Sequence, residues 1–304
     1  SSEHHAFFKD LSMKTSCTSL LQCCIVLLGV LALSRAGAAT ITVTTLADAD
    51  PPATNEMCSL REALANATDD AATYPDCAAG DGNDVITFAT NLFPVVPPRV
   101  ATIQLAGELV AGKVGGTPHA LAIRAPVDGA FATRVRLKAS TVSPHRVMTA
   151  NVTAEPFSLS AITIEGGRTT GDGGGLRLIS SAADLQGVTF VDNQADTRGG
   201  ALAFAGTDGS IDLNAALFEG NVARFGAAIG IWNARSTEVR IANSVFRDNE
   251  TSGSGTGGAI NFEMQLLLDG DWMPALEITG STFTGNRTTG QGGGINFRPG
   301  EGSN

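Results

Sequence analysis

Ala183-Asp184-Leu185-Gln186-Gly187-Val188-Thr189-Phe190-Val191-Asp192-Asn193 is followed, after a short gap, by Gly199-Gly200-Ala201-Leu202. The same pair of signals recurs. Ile211-x-Leu213-x-x-Ala216-x-Phe218-x-x-Asn221, Val239-x-Ile241-x-x-Ser244-x-Phe246-x-x-Asn249 and Leu276-x-Ile278-x-x-Ser281-x-Phe283-x-x-Asn286 repeat the first part. Phe157-x-Leu159-x-x-Ile162-x-Ile164-x-x-Gly167 precedes them with the same spacing. The second part recurs as Gly173-Gly174-Gly175-Leu176, Gly226-Ala227-Ala228-Ile229, Gly257-Gly258-Ala259-Ile260 and Gly292-Gly293-Gly294-Ile295. A weaker copy is read at Val135-x-Leu137-x-x-Ser140-x-Val142-x-x-His145, with Val142 in the place of Ile164.

In-phase repetition at this period means one structural coil per copy. Each copy offers three short runs with alternating apolar residues, too short to stand alone as strands. Stacking the coils pairs every run with its equivalents about 4.8 Å above and below. Phe190, Phe218, Phe246 and Phe283 then stack inside, and Asn193, Asn221, Asn249 and Asn286 fall at one turn. Asn tolerates left-handed backbone there, and its amide can bond the next amide in a ladder. The expectation is an all-β parallel β-helix. A leucine-rich repeat would need L-x-x-L-x-L, and a β-sandwich would not give copies in phase.

Composition agrees with this fold and removes other classes. The 304-residue chain carries 36 Gly and a formal charge of -10, with 16% charged residues. There is no Gly-X-Y period, so collagen is excluded. Too few charges are present for a coiled coil or a charge-driven disordered chain. The acidic balance argues against a nucleic-acid partner.

Upstream of the repeats, Lys14, the apolar run Leu20 to Leu33 and Ala36-Gly37-Ala38-Ala39 follow the order of a secretory signal peptide. The run is shorter than the roughly 20 apolar residues of a membrane span. A cleaved leader over 1–39 is expected, with a retained anchor as the rival. The mature chain would then have no integral membrane span and would be secreted or held at the cell surface. It would keep Cys58 and Cys77. Two cysteines in an exported chain read as one disulfide, with two free thiols as the alternative.

Residues 40–100 form a capping region, and 101–304 the repeats. Thr40 to Thr45 reads as a strand. Ser59 and Glu62 have the spacing of a capping box, and Leu60, Ala63 and Leu64 share one helical face. This short helix would cover the open first coil, because solenoid ends need caps. No comparable cap is visible after Phe297, so the sequence reads as part of a longer protein.

Two resemblances follow from these motifs. Cys58-Ser59-Leu60-Arg61-Glu62-Ala63, with Gly82 to Phe88 downstream, resembles the N-terminal domain of CSLREA proteins. The Phe-x-x-Asn and Gly-Gly-Ala-Ile copies resemble the repeats of chlamydial polymorphic outer membrane proteins. That resemblance implies a right-handed β-helix exported by a bacterium, with a surface adhesin as the model of function. No stretch resembling the C-terminal barrel of those relatives is read in these residues, so one is expected beyond them if the resemblance holds.

A catalytic reading competes with a scaffold. A polysaccharide lyase needs clustered carboxylates for Ca2+ and a nearby base, and a hydrolase needs carboxylates at working distance. Asp192 and Asp248 share a repeat position two coils apart, about 10 Å by strand spacing, with Gly220 between. His119 and His145 have no catalytic context. Asp81, Asn83 and Asp84 look like a Ca2+ loop, but no Glu follows at the twelfth position, so a turn is expected. Asn-x-Thr at Asn66, Asn151, Asn249 and Asn286 has meaning only in a eukaryotic secretory host. No catalytic residue, cofactor or metal is assigned. The expected function is a monomeric surface scaffold whose partner is a glycan or a protein. A polysaccharide-binding or polysaccharide-cleaving protein is the alternative. The loop from Glu263 to Pro274, with Leu266, Leu267, Leu268 and Trp272, is the candidate binding patch unless its leucines fold inward.

Overall fold

The computed structural model describes residues 37–298, apart from 53, 114–118, 129–130, 153–154, 180–181, 206–207 and 265–273. Residues 1–36 of the expected leader and the candidate patch Leu266, Leu267, Leu268 and Trp272 lie outside the described residues.

Short β-branched and apolar runs become strands because each coil supplies the hydrogen-bonding edge for the next. One eight-stranded parallel sheet starts at Thr40–Val43 and Asp84–Phe88 and ends at Ser236–Ala242 and Ala275–Thr279. A seven-stranded sheet runs from Val100–Gln104 to Thr282–Thr284, and a third, also of seven strands, from Leu109–Ala111 to Ile295–Arg298. The sheets are parallel and are not closed on themselves, as in a β-helical solenoid. Registers join equivalent repeat positions: Leu159 to Leu185, Leu185 to Leu213, Leu213 to Ile241 and Ile241 to Ile278. Because side chains alternate along a strand, keeping this register keeps every apolar row inside. Phe157, Leu159, Ile164, Leu185, Phe190 and Phe218 are fully buried.

Two expectations are corrected. Val142 is not an interior anchor: it is 93% exposed. Leu137 pairs with Ile164, and Val135 with Ile162. The slot opposite Phe157 and Leu159 is filled by Leu121 and Ile123. A segment carrying the Val127–Asp128 and Phe131–Ala132 ladder separates the two runs. Leu121-x-Ile123 and Val135-x-Leu137 have the same spacing and polarity, so the sequence copy was phased one sheet too early. Four of the coils also have a fourth strand. A fourth parallel sheet joins Arg168–Thr169, Gln194–Ala195, Val222–Phe225 and Glu250–Thr256, just after the Asn turn.

Helix α1, Leu60–Asp69, closes the first coil. The Ser59 N–H donates to Glu62 Oε2 at 2.8 Å, and the Glu62 N–H donates to Ser59 Oγ at 3.3 Å. Asp70 in left-handed backbone ends the helix. Leu60, Ala63, Leu64 and Ala67 are buried against the strands. Arg61 docks the other side: it bonds Asp48 at 3.0 and 2.8 Å and donates to the carbonyls of Gly107 and Glu108.

Candidate functional site

The repeat's own polar residue is spent inside. Asn193 Nδ2 donates to Asn221 Oδ1 at 3.0 Å, Asn221 Nδ2 to Asn249 Oδ1 at 2.9 Å, and Asn249 Nδ2 to Asn286 Oδ1 at 2.8 Å. Each amide also donates to the carbonyl three residues before its upper neighbour: Ile164, Phe190, Phe218 and Phe246 in turn. Each Oδ1 accepts the backbone N–H of the coil above, and Gly167 fills that place at the head of the ladder. Asn193, Asn221 and Asn249 are fully buried. Nothing on these side chains is left for a ligand.

Beside the ladder, Phe190, Phe218, Phe246 and Phe283 stack face to face with centroids 4.9, 4.7 and 4.6 Å apart. The 4.8 Å strand spacing imposes that arrangement. Phe262 and Phe297 form a second pair at 5.0 Å. Ser244 and Ser281 add a further ladder, each hydroxyl accepting an N–H from the coil above.

Asp192 and Asp248 sit exposed at a corner where five successive coils have positive φ, and they alternate with Gly166, Gly220 and Gly285. A Cβ on Gly220 would lie 2.6 Å from Asp192 Oδ1. Each aspartate side chain therefore leans over a glycine of the next coil. The pair serves turn geometry and does not converge on a common point.

The oxygen-rich turn at Asp81, Asn83 and Asp84 is a joint between strands. Asp84 Oδ1 accepts the N–H groups of Ala39 and Asp81, and Asn83 Oδ1 accepts that of Ala120. Asp84 is buried, and its Oδ2 has no hydrogen-bond partner. Burial pushes its carboxyl above the usual range, against the pull of those two N–H groups. Among the described residues, no group of three His, Cys, Asp or Glu could hold a metal ion.

Cys58 and Cys77 are joined, with Cα atoms 4.8 Å apart. The closed loop is also held by Asn66, which the sequence shows only as an Asn-x-Thr position. Its Nδ2 donates to the carbonyls of Tyr74 and Ala78 at 2.9 Å, and its Oδ1 accepts the Tyr74 N–H at 2.7 Å. Asn66 and Asn249 of the Asn-x-Thr sites are wholly buried.

His145 lines a wall. Its Nδ1 faces the Arg146 carbonyl at 2.7 Å, and its Nε2 accepts the Ser140 N–H at 3.4 Å. His119 lies 3.7 Å from Asp70 near the cap.

On the outer faces, charges pair from coil to coil. Glu165 lies 3.3 Å from Arg136 and 2.7 Å from Lys138, and Arg247 lies 2.7 Å from Glu219. Arg240 reaches Asp212, Glu238 and Glu277. Such exposed pairs are screened by water and stabilise little. Their larger effect is to neutralise rows that would repel if stacked like on like.

Residues 280–298 match the family model of the Chlamydia polymorphic membrane protein repeat. No curated protein and no solved structure matches the chain. The matched segment carries Phe283, Asn286 and Ile295, which stack in register on Phe246, Asn249 and Ile260 of the preceding coil. Residues 280–298 are thus a Chlamydia polymorphic membrane protein-type repeat, one coil of a parallel β-solenoid.

Proposed function

We propose that this chain is an exported solenoid displayed at a bacterial surface, where it presents its outer faces to a binding partner and performs no catalysis. The observation that carries this reading is the repeat match over 280–298, in phase with the coils before it. Proteins bearing that repeat are named for the membrane they belong to, so surface exposure is the expected setting. The leader-like order Lys14, Leu20 to Leu33, Ala36 to Ala39 supports export. Among the described residues no helix is long and apolar enough to cross a membrane.

A non-catalytic role is supported by where the polar groups go. The ladder amides bond one another, Asp192 and Asp248 lean over glycines, and Glu165, Glu219 and Asp212 pair with cations of neighbouring coils. A stacked solenoid presents a long face suited to an extended partner.

Protease shaving of intact native cells tests display. Peptides from 37–298 should be released before lysis, and release only after lysis would refute surface exposure. Incubation of the purified chain with acidic polysaccharides, with and without Ca2+, should give no ultraviolet absorbance from unsaturated product. A signal that rises with protein concentration would overturn the non-catalytic reading.

A further inference from the structure

A polar cleft of about 410 Å3 opens where the first strand of the fourth sheet, Arg168–Thr169, meets the chain at Pro144 to Arg146. Volumes from about 300 Å3 upward hold small ligands. The cleft has a fixed floor. Arg146 bonds the carbonyls of Asp172 and Gly173 at 2.9 and 2.8 Å and Glu108 Oε1 at 2.8 Å, and it reaches Thr149 and Thr169. With so many partners the guanidinium cannot swing, so the site is built before any ligand arrives. The rim is freer. Arg168 is exposed and donates to Gln194 Oε1, which aligns that amide and leaves its NH2 able to donate. Asp196 is exposed on the same wall, and Thr170 adds a hydroxyl.

The lining selects a ligand class. Pro144 is its one apolar side chain and the His145 imidazole its one ring, with no Phe, Tyr or Trp, which disfavours a lipid tail or a large aromatic molecule. Two carboxylates, Glu108 and Asp196, stand against Arg146 and Arg168. A polyanion would meet the first pair and a polycation the second. An uncharged polyol meets neither penalty: each hydroxyl can donate to Asp196 and accept from Arg168 or Gln194. We propose that this cleft binds a short neutral saccharide. With no Phe, Tyr or Trp to stack on and only the His145 imidazole, affinity should be modest, about millimolar. The site stands whether or not the chain is surface-displayed, because it is tested on purified protein.

Saturation-transfer NMR of the purified chain with neutral disaccharides is the experiment, with an oligogalacturonate and a sugar phosphate as charged comparators. A neutral disaccharide should give a signal. Arg168→Ala and Asp196→Ala should each weaken its binding about tenfold with melting unchanged, and Arg240→Ala, on another face, should have no effect. Three results would overturn the proposal: silence from every neutral disaccharide, stronger binding of a charged comparator, or unchanged binding in both cleft variants. If a cleft variant unfolds, competition between two neutral disaccharides for the wild type decides whether one site is shared. Absence of competition then counts against the cleft.

Discussion

Asn221→Ala is expected to cost about 3 kcal/mol, the upper end for stranding buried hydrogen-bonding groups. Asn221 has ladder neighbours on both sides. Its Oδ1 is the acceptor for both the backbone N–H and the Nδ2 of Asn193, and its Nδ2 donates to Phe190 O and Asn249 Oδ1. Alanine leaves the Asn193 N–H without its partner. Asn193 Nδ2 keeps Ile164 O, and Asn249 Oδ1 keeps the Asn221 N–H. Asn286→Ala should cost less, because that side chain is half-buried at the last described coil. Asn221→Asp should be worse than alanine at neutral pH. It removes both donors and buries a charge, so its folded-state pKa is raised above the unfolded value. The variant's stability is then fully present below the unfolded pKa and lost as pH rises through the folded one. Denaturant melts and hydrogen exchange read the effect. Protection should fall around 193, 221 and 249 and persist near Ile41 and Leu64, because solenoid coils couple mainly to their neighbours. Unchanged melting of Asn221→Ala would mean that the ladder does not hold the coils together.

Removing the Cys58–Cys77 link should have a comparable effect at the other end. The bridge spans a sequence separation of 19, for which chain entropy gives about 3 kcal/mol. Asn66 still ties Tyr74 and Ala78 to α1 when the bridge is gone, so Cys58→Ala with Cys77→Ala should leave the cap formed but easier to open. Exchange from Leu60 to Ala67 should quicken while the coils at Phe218 and Phe246 keep their protection. Alkylation in denaturant without reductant, read peptide by peptide, should modify neither Cys58 nor Cys77. Labelling of both would show free thiols, and slowed exchange or no change in the double variant would remove the bridge from the account of stability.

What the sequence made readable was whatever one side chain could announce by its chemistry and recur to confirm. Phe218 and Asn221 are such positions, because identical neighbours above and below make the same contact from coil to coil. Ser59 and Glu62 were readable for a related reason: both partners lie within one helical turn. The phase of Val135 and Leu137 was not readable. Leu121 and Ile123 have the same spacing, and only strand pairing distinguishes which sheet each run joins. The fourth sheet carries no apolar signature, since its inward row at Ala195, Ala223 and Thr251 is small or polar. Arg61 and Asn66 looked like ordinary helix residues, and their partners lie outside the helix. The cleft was hidden in the same way. Glu108, Arg146, Arg168 and Asp196 come from separate coils, and only stacking brings them to one wall.

All of this rests on one claim, that the repeats stack in parallel and in register, coil on coil. Paired cysteines on an outer face test it most directly. Glu219 and Arg247 are register partners, and Val191 lies one coil further away on the same row. Adjacent positions about 4.8 Å apart fall within the Cα range of a disulfide, and positions two coils apart do not. Glu219→Cys with Arg247→Cys should oxidise to an intramolecular bridge found by mass spectrometry, and Val191→Cys with Arg247→Cys should stay reduced under the same conditions. A bridge in the second pair and none in the first would contradict the stacked register.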